Sequence, residues 1–153
     1  VSIHADAHAS NQTRGASIYT LSETASDAEA AALAARENRA DIIAGVDLSA
    51  ENKEVVSILI DLAQRETMNR SASFAALLVD HLGRDVALLP NNPHRFAGFA
   101  VLKAPDIPSA LIELGYLSNR HDETMLTRPQ HRTKAAAAIV RAIDEYFTRK
   151  VRS

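Results

Sequence analysis

With 153 residues the chain fits one domain, long enough to bury roughly two thirds of the surface its unfolded form exposes. Its 17 basic and 19 acidic side chains are spread along the sequence for a net charge of -2, which leaves no basic stripe for a nucleic acid to follow. No stretch approaches the about 18 consecutive apolar residues of a membrane span, and the absence of cysteine excludes disulfides and thiolate ligands, leaving His, Asp and Glu for any metal.

Residues 1–7 read as a strand with no polar lead-in and no signal peptide, as though the chain starts partway through a domain. His4, Asp6 and His8 alternate along it. Side chains two apart in a strand share a face, so these three are placed to face one cation, although a residue in the position of His8 more often faces solvent. A loop at residues 11–15 leads to a second strand at residues 15–21. Ser26 followed three residues later by Glu29 is the capping-box pattern of a helix start, and an Ala-rich helix runs from there to about Ala40.

A second cap-like cluster at residues 45–49 precedes a segment from Glu54 to Arg70 in which Val55, Ile58, Leu59 and Leu62 recur at helical spacing. Residues 71–82 continue with Ala72, Ala75, Ala76, Val79 and Leu82 on one stripe and Gly83 as a C-cap, in one bent helix or two. Residues 89–95 read as a loop; Arg95 with His94 could contact sugar or peptide carboxylates, but a solvated loop is the plainer reading. Two short apolar runs, residues 99–102 and 110–117, read as strands joined by a Pro-bearing linker. Asn119 is placed to cap a helix starting near His121, and after Pro129 the residues Ala136, Ile139, Val140, Ile143, Tyr146 and Phe147 make an amphipathic helical face. Such alternation predicts an α/β fold: a three-layer sandwich in which helices flank a mixed, mostly parallel sheet.

Glu113 lies in the middle of the longest strand-like apolar run, Ser109-Ala110-Leu111-Ile112-Glu113-Leu114-Gly115-Tyr116-Leu117. A lone buried carboxylate costs several kcal/mol unless it is paired, protonated or set against a cation. Together with His4 it suggests a metal site with a carboxylate base; the plainer alternative is a structural residue held in a salt bridge.

Four segments carry a family likeness: Ser2-Ile3-His4-Ala5-Asp6-Ala7, Arg14-Gly15-Ala16-Ser17-Ile18-Tyr19, residues 97–109, and Ile112-Glu113-Leu114-Gly115-Tyr116-Leu117-Ser118-Asn119. Over nearly the whole chain the sequence resembles the zinc-dependent N-acetylmuramoyl-L-alanine amidases, above all the periplasmic cell-division amidases of Gram-negative bacteria. The resemblance implies hydrolysis of the amide between N-acetylmuramic acid and the first L-Ala of the peptidoglycan stem peptide. It implies a Zn2+ cofactor with His4 as the last of three protein ligands, Asp6 as a further ligand or a holder of water, and Glu113 as the catalytic base. Since the family's other ligands precede the strand that carries His4, residues 1–153 are expected to be the larger, C-terminal part of one catalytic domain.

The resemblance also implies an inserted, autoinhibitory helical segment at residues 24–70. Glu29 is the first choice for an inhibitory carboxylate on the metal and Glu37 the second, and an activator with a LytM-type domain is expected to dock on this insert. A non-catalytic module of the same fold, binding peptidoglycan or an activator, is the competing expectation.

Overall fold

The computed structural model describes residues 1–43 and 54–152, with side chains described for residues 1–40 and 62–149. Four strands, β1 (Ser2–Asp6), β2 (Ser17–Leu21), β3 (His94–Ala97) and β4 (Leu111–Tyr116), form one sheet in the order β1-β4-β2-β3. β1 pairs with β4 and β2 with β3 in parallel, while β2 and β4 run antiparallel. Four helices complete the chain: α1 (Ala28–Ile43), α2 (Glu54–Asp85), α3 (Arg120–Thr127) and α4 (Pro129–Arg152).

The near-continuous apolar strands are explained by cover on both faces. Alternation sends Ile18 and Ile112 to one side, where they pack with Phe74, Ala75, Leu78 and Leu82 of α2 and Ala135, Ala138, Ile139 and Ala142 of α4. It sends Tyr19 and Leu111 to the other, against Ala30, Leu33 and Ala34 of α1 together with Ala97, Phe99 and Leu102. The result is the expected three-layer α/β arrangement, with a mixed sheet as its middle layer. α1 brings one leucine and two alanines to this contact, worth about 3–5 kcal/mol by burial of apolar area.

Several local readings shift. α2 is a single helix that continues through Gly83 to Asp85, so Gly83 is not a C-cap. Its lack of a side chain has another use, since a Cβ there would lie 3.0 Å from Leu88 Cδ1. The buried stripe of α2 is Ser71, Phe74, Ala75, Leu78 and Leu82, with Ala72 and Ala76 turned to solvent; alanines all around a helix conceal its phase. Residues 99–102 are not a strand but contain a 3-10 turn, Ala100–Leu102, and the strand lies earlier, where His94 and Arg95 were expected in a loop. The side chain of Asn38 stabilises that turn by donating to Gly98 O at 2.8 Å and accepting from Ala100 N at 2.7 Å.

At the start of α1 the cap is Asp27, whose Oδ1 accepts from Ala30 N at 2.8 Å. Ser26 instead donates to Asp27, which frees Glu29 from a capping-box role. Asn119 caps α3 as expected, accepting from His121 N and Asp122 N. On α4, Ile139 is buried while Val140 and Phe147 are exposed. The turn signal at residues 45–49 and the side chains of Val55, Ile58 and Leu59 lie outside the described residues.

Candidate metal centre

His4 and Glu113 are register partners on the neighbouring parallel strands β1 and β4. Parallel partners share a face, and here it is the face covered by α1. Glu113 is fully buried, and neither carboxylate oxygen accepts a hydrogen bond among the described residues. Burial, followed by the nearby charges of Asp6 and Glu37 and against the pull of Arg36, pushes its carboxyl up to about 8.

α1 lowers a third group into this corner. Glu37 Oε2 lies 3.1 Å from His4 Nδ1, and His4, Glu37 and Glu113 each offer a ligand atom within 4.8 Å of the others. The opposite ring nitrogen of His4, Nε2, is held by Ser2 Oγ at 2.8 Å. A partner on the far nitrogen fixes the orientation and tautomer of a metal-binding imidazole. One imidazole and two carboxylates are a donor set suited to a divalent cation.

A one-residue irregularity in the β1–β4 register, between His4 and Asp6, pairs Asp6 with Tyr116. Gly115 takes up the extra residue at φ 156, where a Cβ would lie 3.0 Å from Asp122 Oδ2. That same oxygen accepts from Tyr116 N at 3.1 Å and from Gly15 N at 2.8 Å, tying the end of β4 to the approach to β2. Tyr116 thereby comes to the α1 side, where its ring and that of His8 stand nearly perpendicular with centroids 6.0 Å apart.

The other residues singled out from sequence fall elsewhere. Asp6 follows His4 on the same strand face, but its carboxylate pairs with Arg36 of α1 and is not one of the clustered donors. Glu29 is two turns of helix away from Glu37 and does not reach His4: its Oε2 accepts from Arg95 Nη1 at 2.9 Å, and its Oε1 faces His8 Nε2 at 3.4 Å. The hydrogen bond from Arg95 is the main reason the Glu29 carboxyl sits below its ordinary range. His8 is thus engaged with Glu29 instead of the His4 cluster. His81 is buried between α2 and α4 with Nε2 2.7 Å from Glu145. Ser2 as a support for His4 was legible from the two-residue strand spacing; the Arg36 and Arg95 pairings depend on how α1 lies and left no signal in the sequence.

An α/β domain that sets an imidazole beside a buried carboxylate with no hydrogen-bond partner among the described residues has the donor chemistry of a metal centre. Residues 1–145 match the protein family described as N-acetylmuramoyl-L-alanine amidase, and the chain belongs to that family. It is 38% identical over 148 residues to the amidase AmiC of Escherichia coli O6:H1, a match covering 96% of this chain and 35% of that protein. Against AmiC of Neisseria meningitidis serogroup B the identity is 36% over 156 residues, covering 99% of this chain and 36% of the relative. Against AmiA of Salmonella typhimurium it is 35% over 148 residues, covering 96% and 51%. The chain thus spans between 35% and 51% of the length of these relatives.

Solved amidase structures share the fold. Ami1 from Mycobacterium smegmatis aligns with a TM-score of 0.59 at 20% identity, over 95% of this chain and 51% of that one. CwlD from Clostridioides difficile, solved in complex with the GerS lipoprotein, aligns with a TM-score of 0.58 at 20% identity, over 96% and 53%.

Proposed function

We propose that this chain is part of a peptidoglycan hydrolase that cuts the amide between N-acetylmuramic acid and the L-Ala of the stem peptide. The observation that carries the reading is the Glu113 carboxylate, fully buried and with both oxygens free of hydrogen bonds among the described residues. A module that only binds gains nothing from an arrangement that costs several kcal/mol, whereas a general base needs open lone pairs and a carboxyl tuned toward neutrality.

In this reading Glu113 takes a proton from the attacking water and returns it to the leaving nitrogen of L-Ala. His4, steadied by Ser2, contributes an imidazole to a zinc site, and Asp6 stays bonded to Arg36 as a nearby negative charge. Bound zinc would acidify water and polarise the scissile carbonyl. His4 and the Glu37 carboxylate fit such an ion in chemistry, being borderline nitrogen and hard oxygen, while Glu113 beside them is left to act on water.

Residues 24–70 act as an autoinhibitory insert. Glu37, 3.1 Å from His4 Nδ1, is the carboxylate suited to occupy the metal corner; Glu29, the first choice from sequence, is engaged with Arg95 and His8 instead. Displacing α1 by an activator with a LytM-type domain docked on the insert would open the site, in a periplasmic role at cell division. Such a switch requires a few kcal/mol of differential binding, comparable to the apolar contact that α1 makes.

The test is the zinc content of the purified full-length protein, together with peptide release from labelled peptidoglycan before and after chelation. About one zinc per chain, with release lost on chelation and restored by zinc, is the expected result. Binding to peptidoglycan with no release at any zinc level would overturn the hydrolase reading in favour of a binding module.

A further inference from the structure

Glu29 occupies a receptor built by other parts of the chain. Arg95 is on β3, in register with Tyr19 of β2, and its side chain is only 14% exposed. His8 is in the loop after β1, and its ring is set before Glu29 arrives: Ser10 N donates to Nδ1 at 3.0 Å, and Tyr116 meets the ring edge-on. An Nδ1 that accepts leaves the neutral ring's proton on Nε2, the atom that faces Glu29 Oε1 at 3.4 Å. Glu29 Oε2 takes the other donor, Arg95 Nη1, at 2.9 Å. One carboxylate is therefore clasped at both oxygens by two donors from separate elements. The second acid near Arg95 is Asp27, whose Oδ2 is 3.6 Å from Nε, and it too belongs to the α1 start.

The occupant is the weakly held part. The Glu29 side chain is 55% exposed, and ion pairs at such positions contribute about 0–1 kcal/mol. Lifting α1 would remove both acids and leave a half-buried guanidinium and an oriented imidazole facing the groove. Position also fits. Arg95 lies two strands across from Glu113 and two residues along, about 12 Å between Cα atoms by sheet spacing. A carboxylate one residue beyond a scissile amide held at Glu113 lies about 7 Å from that bond, and an extended arginine spans most of the rest.

We propose that Arg95 and His8 form a carboxylate-binding subsite for the first free carboxylate of an acidic peptide downstream of the scissile amide, and that Glu29 fills it as an internal stand-in. The subsite rests on the amidase reading for the identity of that peptide, but not for its existence.

The experiment uses the full-length protein and two probes. One is muramoyl-L-alanyl-D-glutamate with its γ-carboxyl capped as the methylamide; the other is the same compound with its α-carboxyl amidated. Binding is titrated in a Glu113→Gln background to prevent turnover. The acid should bind about tenfold tighter than the amide, as a charge-assisted pair allows. Arg95→Gln should bring that ratio close to one, with Arg95→Lys in between. Glu29→Gln should strengthen acid binding about fivefold and leave amide binding alone.

An acid-to-amide ratio unchanged in both Arg95 variants, or acid binding indifferent to Glu29→Gln, overturns the subsite. Hydrolysis of the probes by zinc-loaded protein with Glu113 intact is scored separately. Its absence alongside an Arg95-dependent ratio would sink the amidase reading and leave the subsite standing.

Discussion

On one face of the sheet, Ile18 and Ile112 are sealed by Phe74, Leu78 and Leu82 of α2 and by the alanines of α4. On the other, Tyr19 and Leu111 share their layer with buried Ser17 and Glu113, under a helix that brings one leucine and two alanines and is otherwise placed by polar contacts: Arg36 to Asp6, Glu37 to His4, Glu29 to Arg95, and Asn38 to the turn at Gly98 and Ala100. Hydrocarbon packing is non-directional and adds up over area, whereas partly exposed ion pairs contribute little each. The α2/α4 face therefore supplies stability, and the α1 face trades stability for a polar site under a more weakly held helix.

That contrast breaks most sharply at Glu113. In the zinc-loaded full-length protein, Glu113→Gln should lower peptide release by about a thousandfold, the scale of a lost general base, while zinc content changes little; near-normal release would return Glu113 to a structural role. On the opposite face Leu78→Ala, at a fully buried site, should cost about 3 kcal/mol in denaturant titration. A loss below about 1 kcal/mol there would mean that the α2/α4 face is not the stabilising one.

pH separates the faces next. Because burial raises the Glu113 carboxyl to about 8, the folded metal-free protein holds a proton that the unfolded chain releases near its ordinary value. The penalty is absent below about pH 4.5 and grows as pH rises toward and through 8. Glu113→Gln should thus raise the melting temperature of chelator-treated protein by about 5 °C at pH 9 and by much less at pH 4.5. Parallel curves for the two proteins would contradict this.

The smallest effects concern the cover. Glu37→Ala should raise basal hydrolysis about tenfold, equivalent to about 1.4 kcal/mol of lid contact. Glu29→Ala should raise it only about two- to threefold, as an exposed ion pair allows. The reverse order in an unactivated dye-release assay would make Glu29 the principal inhibitory carboxylate.

Strand phase explains how much could be read in advance. A carboxylate embedded in Leu111-Ile112-Glu113-Leu114 must point to one face of a covered sheet, and His4 two residues from Asp6 must share its face. What could not be read was the order β1-β4-β2-β3, which alone makes His4 and Glu113 neighbours. The sequence choice of Glu29 before Glu37 had no such basis, since both lie on the same helix and only the direction in which α1 crosses the sheet decides that Glu37 meets His4.

The misread stretches have local causes. Residues 99–102 look like a strand because they are apolar, yet Asn38, distant in sequence, holds a turn there. His94 and Arg95 look like loop because Pro and Asn precede them, yet pairing with β2 draws them into the sheet.

The sequence by itself determined the alternation of elements, the layered α/β class, the cap at Asn119, the position of the α1 start to within a residue though not its cap, and the presence of a carboxylate in a buried strand. These follow from interactions within a few residues, which hydrophobic period and side-chain chemistry encode directly. Only the tertiary structure decided which imidazole, acids and guanidinium meet, because those contacts join residues up to 109 positions apart, as with His4 and Glu113, and depend on strand order and on the lie of one helix.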